Sequence, residues 1–342
     1  MTTVSLPFFG GELTSFLALN NMVSENTSTI YYNATYSRCA LTTTGYYALA
    51  SSPSWSAAST FWMHCVVSMT YGYPSNPSGN VILFYNGATV VAQVVAVSGQ
   101  TTYTLQLQTL QAGVMTNVGS AQTFNTASGS AYLYTLDFQL VAGASGSAQF
   151  YVNGSSVASG SSLNHSAWSG VTQIVLGSTQ DTFINSAATF GWSQIICDTT
   201  STLGRYLITD QFDTESATNT GWSGYGGASK LADINEVPLD DTTYIQAGTT
   251  GLIDTFYQST LSLGSYYILG RGVAVRARQQ DSGPANIKLA IRGASANYTS
   301  SQFALTAGFQ PVTYMWTTNP ATSGSWTPTT ASAIELGVQS QT

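Results

Sequence analysis

Along much of the chain apolar residues recur with a period of two, and clusters rich in Gly, Asn and Ser interrupt them at short intervals. That alternation marks half-buried strands of antiparallel sheets and leaves little room for helix. Tyr103, Leu105 and Leu107 alternate with Thr104, Gln106 and Gln108, and Leu136, Phe138 and Leu140 alternate with Asp137 and Gln139. Residues 81–85 run into Asn86-Gly87 and out through 90–97, which predicts a hairpin with Asn-Gly supplying both positive-φ positions of a type I′ turn. A second hairpin is predicted from 150–154 to Val157, followed by strands at 174–177 and 190–195. Beyond residue 205 the alternation continues through 206–208, 243–245, 252–256, 266–269, 273–278 and 286–291. The fold class predicted is all-β: two antiparallel β-sandwich, jelly-roll-like domains with a short N-terminal arm.

Charge places the boundary. Of eight Lys and Arg and fifteen Asp and Glu, only Arg38, Glu12, Glu25, Asp137, Asp181 and Asp198 precede residue 205. The predicted organisation is therefore an arm over 1–40, a first sandwich over 41–204 and a second over 205–342. The 342 residues suffice for two domains. A charged share of 7% is far below the usual level of about 25%, so Ser, Thr, Asn, Gln and Gly carry the solubility. The aromatic share of 12% argues against disorder. A net charge of −7 argues against nucleic acid and anionic membrane as partners, because both need a clustered basic footprint. The longest apolar run, 90–97 broken by Gln93, falls short of the roughly 20 residues of a membrane helix, and residues 1–7 show no secretory signal. Cys39, Cys65 and Cys197 fit neither a disulfide framework nor a zinc site and read as buried thiols. The sequons at Asn26, Asn33, Asn153, Asn164 and Asn297 are no more than this composition yields by chance.

Two resemblances sharpen the picture. Gln149-Phe150-Tyr151-Val152-Asn153-Gly154, then Ile174-Val175-Leu176-Gly177-Ser178 and Gly191-Trp192-Ser193-Gln194-Ile195, resemble the end of a concanavalin-like jelly roll of the laminin-G type, over roughly residues 60 to 200. The resemblance implies two curved sheets, often with a glycan or calcium on one face or rim. Jelly-roll glucanases of this kind carry E-x-D-x-x-E, which aims two carboxylates into the cleft; the motif is missing here. Tyr314-Met315-Trp316-Thr317-Thr318-Asn319-Pro320-Ala321-Thr322-Ser323-Gly324-Ser325-Trp326-Thr327, with Ile334-Glu335-Leu336-Gly337-Val338, resembles the C-terminus of tailed-phage virion proteins. It departs from that pattern by Asn319 in place of Asp and by Ser323 inserted before the Gly. Pro7-Phe8-Phe9-Gly10-Gly11-Glu12 and Tyr36-Ser37-Arg38-Cys39-Ala40-Leu41 resemble the entry of the same family.

Candidate chemistry is sparse. His64 lies in an apolar strand and reads as a core histidine. Asp210, Asp213 and Glu215, with Asp240 and Asp241, could offer oxygens to calcium, but their spacing matches no calcium loop, so neither metal nor cofactor is expected. Arg276, Arg278, Lys288 and Arg292 would share the outer face of a hairpin closed by Asp281-Ser282-Gly283-Pro284, a docking surface for an acidic partner or an ordinary solvated face. Tyr71 and Tyr73, and Trp222 and Tyr225, sit on glycine-containing loops, where rings stack on glycan or protein or fold back over the core. The resulting expectation is a non-enzymatic structural protein of a tailed-phage virion: a surface-displayed decoration, fibre or tail component. Its partners would be other virion proteins, itself as a homotrimer, and host surface glycan. The alternative is a carbohydrate-binding adhesin or phage receptor-binding protein.

Overall fold

The structure, a computed structural model, describes residues 8–10, 18–20, 22–25, 40–43, 49–52, 54–70, 78–98, 102–125, 132–177, 189–199, 212–235, 241–258, 268, 270–280 and 282–342. The chain divides into two compact units, Met1–Ile208 and Thr209–Thr342. The first unit holds strands β1 (Phe8–Gly10), β2 (Ala18–Asn20), β3 (Met22–Glu25), β4 (Ala40–Thr43), β5 (Leu49–Ser51), β6 (Thr60–Thr70), β7 (Ser78–Asn86) and β8 (Thr89–Ser98). It continues with β9 (Thr102–Gln111), β10 (Val114–Asn117), β11 (Gln122–Asn125), β12 (Tyr132–Val141), β13 (Gly143–Val152), β14 (Ser155–His165), β15 (Gln173–Gly177) and β16 (Thr189–Asp198). These make two eight-stranded antiparallel sheets. One has the order β14-β13-β12-β6-β16-β4-β3 with β1 on β16, the other β10-β9-β8-β7-β15-β5-β2 with β11 on β9.

The period-two pattern builds the core of this sandwich directly. Phe61, Met63, Cys65, Leu136, Phe138 and Phe150 of one sheet meet Phe84, Val94, Leu105, Leu107, Ile174 and Leu176 of the other in one buried cluster. Phe138 stacks on Phe150 at 4.8 Å and meets Phe84 edge-on at 5.9 Å, geometries that suit the ring quadrupole. Cys65 and Cys197 are buried free thiols, and burial pushes both well above the usual thiol range; Cys39 lies outside the described residues.

The two predicted hairpins form, with different turns. At β7–β8, Asn86 pairs with Thr89, so the loop residues are Gly87 and Ala88, and only Gly87 (φ 59°) has positive φ. Glycine at the first loop position is the type II′ pattern, one residue later than the type I′ reading. The double positive φ occurs instead at β13–β14, at Asn153 (49°) and Gly154 (81°). There the Asn153 side chain accepts from the Thr135 backbone N–H at 3.0 Å and its own N–H donates to the Thr135 carbonyl at 2.9 Å. The turn is thereby tied to β12.

The second unit holds β17 (Phe212–Thr220), β18 (Ser223–Tyr225), α1 (Lys230–Ile234), β19 (Tyr244–Gln246), β20 (Ile253–Gln258), β21 (Arg271–Ala277) and β22 (Asn286–Gly293). After these come β23 (Ala296–Thr299), β24 (Phe303–Ala304), β25 (Gln310–Trp316), α2 (Pro328–Ser332) and β26 (Glu335–Gln341). A six-stranded sheet, β17-β20-β26-β22-β23 with β24 on β22, stands beside two-stranded sheets β18-β19 and β21-β25. Val273, Val312 and Trp316 from β21 and β25 share a core with Ile287, Leu289, Ile291, Leu336 and Val338 from the larger sheet.

The C-terminal motif is a packing device of this unit. Trp316 and Trp326 are both buried, and the Trp326 indole N–H donates to the Trp316 carbonyl at 2.7 Å. Between them Asn319 bridges Gly324, and its side-chain oxygen accepts from the Ala321 N–H at 2.9 Å. An Asp would accept the same bond. Ser323 takes the left-handed conformation (φ 55°). Thr327 then caps α2 in a reciprocal box with Thr330, and Pro328 takes the first turn, where its missing N–H costs nothing.

Candidate functional site

Register places a polar strip on the outer face of the β14-β13-β12-β6-β16 sheet. Residues directly opposite in antiparallel strands share a face. Trp62 pairs with Gln139 and Asp198, Gln139 with Gln149, and Gln149 with Ser159, giving one row across five strands. The next row runs Ile196, His64, Asp137, Tyr151, Ser156. Their chain neighbours Phe61, Met63, Leu136, Phe138 and Phe150 point into the core, so both rows point away from it.

The two ends of the strip differ. Toward β16, His64, Asp137, Asp198 and Ile196 are buried. His64 Nδ1 lies 2.8 Å from Asp137 Oδ1, so the carboxylate fixes the orientation of the ring. Toward β14, Trp62, Gln139, Gln149 and Tyr151 are half-buried, and Ser156, Ser159 and Ser161 are exposed. The Trp62 and Tyr151 rings lie 6.2 Å apart, tilted by 35°, and the Tyr151 hydroxyl donates to the Gln149 side-chain oxygen. This open end therefore offers aromatic faces beside two carboxamides, each of which both donates and accepts, with no charged side chain among its half-buried and exposed members. A pyranose ring presents an apolar face and adjacent hydroxyls, the complement of such a surface.

The other histidine is structural. His165 is buried, with Nδ1 2.7 Å from the Val141 carbonyl and Nε2 3.0 Å from the Thr109 hydroxyl. Burial lowers its pKa below the usual histidine value, with the Val141 bond opposing.

The residues singled out from sequence fall in several places. Tyr71 and Tyr73 lie outside the described residues. Trp222 folds back onto the second core, its indole N–H donating to the Leu252 carbonyl at 3.0 Å. The predicted hairpin carrying four cations is not formed: β21 pairs with β25, and β22 pairs with β26 and β23. Both strands bury their apolar faces in one core from different sheets, so their outer faces are separate surfaces. Lys288 lies opposite Gln339 on β22, and Arg292 Nε is 3.4 Å from Glu335 Oε1. Arg276 makes a two-point bond to Asp241, at 3.0 and 2.7 Å. Arg278 lies over the Phe309 ring at 4.8 Å and the Tyr244 ring at 5.8 Å. Tyr225, 52% exposed, stacks on Tyr244 at 4.7 Å, so Tyr225, Arg276 and Arg278 meet on one surface. Of the acidic positions, Asp210 and Asp240 lie outside the described residues, and Glu215 is 3.6 Å from Lys230 Nζ. No group of three or more His, Cys, Asp or Glu that could hold a metal ion occurs among the described residues.

Lys230 also reaches Asp254 Oδ2 at 2.8 Å. Asp254 is fully buried, and burial pushes its carboxyl up against the opposing pull of Lys230. Arg271 is buried as well; desolvation lowers it to about 10, and it bonds the Gln258 side chain.

No protein-family model and no curated protein matches the chain. Among solved structures it is similar to an endo-β-1,4-glucuronan lyase from the fungus Trichoderma reesei, at 12% identity and TM-score 0.40, over 57% of this chain and 96% of that one. It is also similar to a carbohydrate esterase from the Shiga toxin-encoding bacteriophage phi24B, at 13% and 0.38 over 58% and 100%. A third is the cellulose induced protein Cip1, at 11% and 0.36 over 59% and 93%. These findings correct the expectation of a chain without enzymatic activity. That expectation rested on a missing two-carboxylate motif, which bears only on glycoside hydrolysis by paired acids. Among the described residues no helix is long and apolar enough to cross a membrane. The chain is an all-β protein similar in structure to carbohydrate-active proteins, one of them from a phage.

Proposed function

We propose that this chain is a surface component of a phage virion that engages saccharide through the open end of the strip on its first unit. The observation that carries the reading is the register that aligns Trp62, Gln139, Gln149 and Ser159 in one row beside Tyr151. Rings supply stacking area, the carboxamides and hydroxyls supply directional bonds, and the lack of charge there favours neutral sugars. The virion assignment is supported by the C-terminal motif around Trp316 and Trp326 and by the entry segments quoted above. Partners in the particle would be other virion proteins and further copies of this chain, in a trimer. The test is a neutral-glycan array probed with the wild-type chain and with Trp62→Ala/Tyr151→Ala. The expected result is selective binding that the double variant loses while its melting temperature is kept; equal binding by both proteins would reject the site. Immuno-electron microscopy of particles tests the virion assignment separately.

A second reading, cleavage of the bound saccharide, is favoured by one observation: Tyr151 at the open end stands next in its row to the buried Asp137–His64 pair. Phenol and carboxylate-oriented imidazole are both groups that pass protons. Release of new chain ends from a bound polysaccharide, abolished in Tyr151→Phe, would support it; binding without release would reject it.

A further inference from the structure

The second unit carries a surface of different chemistry. Tyr225 reaches it from the end of β18, and the segment from Gly224 to Gly227 packs against α1. A Cβ on Gly227 would stand 1.7 Å from Asp233 Oδ1, and one on Gly224 2.5 Å from Oδ2, so only glycine allows this approach. Asp233 Oδ2 in turn accepts the Tyr225 N–H at 3.2 Å, and Ser229 caps the helix that holds Asp233. The β18–β19 pairing then sets Tyr225 opposite Tyr244, and their rings stack with an interplanar angle of 14°. Phe309 borders the pair, its ring 6.1 Å from that of Tyr244 and tilted by 60°.

Two guanidinium groups border these three rings, and their charges are spent differently. Arg276 is neutralised by Asp241 in a two-point bond. Arg278 has no carboxylate partner among the described residues; its contacts are the two rings and the Gln280 side-chain oxygen at 3.4 Å. The site thus offers one available cation beside an exposed flat ring, in a chain with only eight Lys and Arg. A polyphosphate or nucleic acid needs several cations. One carboxylate on a ring with an apolar face needs one fork-shaped donor and one aromatic face.

We infer that Tyr225, Tyr244, Phe309 and Arg278 form a binding site for an acidic saccharide, with Arg278 holding the sugar carboxylate and Tyr225 stacking on the adjacent ring. The site goes beyond the neutral strip of the first unit and does not rest on it.

The experiment is calorimetric titration of the full chain with oligogalacturonate and with a neutral galactose oligosaccharide of equal length. It is run on wild type, Arg278→Gln, Tyr225→Ala and Trp62→Ala/Tyr151→Ala, with thermal melting as the folding control. The expected result is binding of oligogalacturonate that weakens about tenfold or more in Arg278→Gln, the scale of one charge-assisted hydrogen bond, and also weakens in Tyr225→Ala. The first-unit variant keeps that binding, and added salt reduces it. The inference is overturned if wild type does not bind the acidic oligosaccharide, or if Arg278→Gln binds it equally well. Loss in the first-unit variant alone would move acidic sugars to the strip. An Asp-rich peptide binding as tightly would replace saccharide by simple charge.

Discussion

The two units solve the problem of a polar, weakly charged chain in opposite ways. The first encloses one large apolar core, and the ionisable groups it buries among the described residues, His64 with Asp137 on the outer side of a sheet, His165, Asp198 and two thiols, include no Lys or Arg. The second has a smaller core and buries charge within it or against it: Lys230 with Asp254, Arg292 with Glu335, and Arg271 on Gln258. Apolar burial scales with area and is forgiving of detail, whereas a buried charge stabilises only while its partner stays. The units should therefore fail in different ways. The same contrast extends to their surfaces, neutral carboxamides and rings on the first, rings and arginine on the second.

The largest expected effect is on the first core. Phe138 is fully buried between Phe84 and Phe150, so Phe138→Ala should cost about 3–5 kcal/mol and lower only the first-unit transition in calorimetry. An equal fall in both transitions would break the picture of two separately built cores. Next is Lys230→Met, which leaves the Asp254 carboxylate buried without its cation. A loss of about 3 kcal/mol is expected in the second unit alone, and Lys230→Met/Asp254→Leu should recover most of it.

Much of the first core was legible, because Leu105, Leu107, Leu136 and Phe138 announce their faces by alternation alone. The strip was not. Trp62, Gln139 and Gln149 become neighbours only through the pairing of β6, β12 and β13, and His64 meets Asp137 across 73 positions. Local periodicity carries no information on which strands pair. The same gap misplaced the four cations: 273–278 and 286–291 alternate as a hairpin would, yet their partners are β25 and β26. Asn86-Gly87 failed more narrowly, since the pairing of Asn86 with Thr89 moved the turn by one residue.

The smallest effect sharpens the contrast through pH. The folded pKa of His165 lies below its unfolded value of about 6.5, so the unfolded chain takes up the proton first as pH falls. Its contribution is complete above that value and is lost as pH drops toward the folded pKa. Urea midpoints of the first unit should fall between pH 8 and pH 5 in wild type and fall less in His165→Gln; parallel curves would remove His165 as the cause.

The central claim is that the register-aligned row of the first unit is a saccharide surface. Neutral oligosaccharide titrated against the isotope-labelled full chain, followed by the indole N–H resonance of Trp62 assigned through Trp62→Phe, tests it most directly. The account requires saturable shifts at Trp62 and at the Gln139 and Gln149 side-chain amides. Binding that leaves these three groups unmoved, or no binding across a neutral-glycan panel, would contradict it.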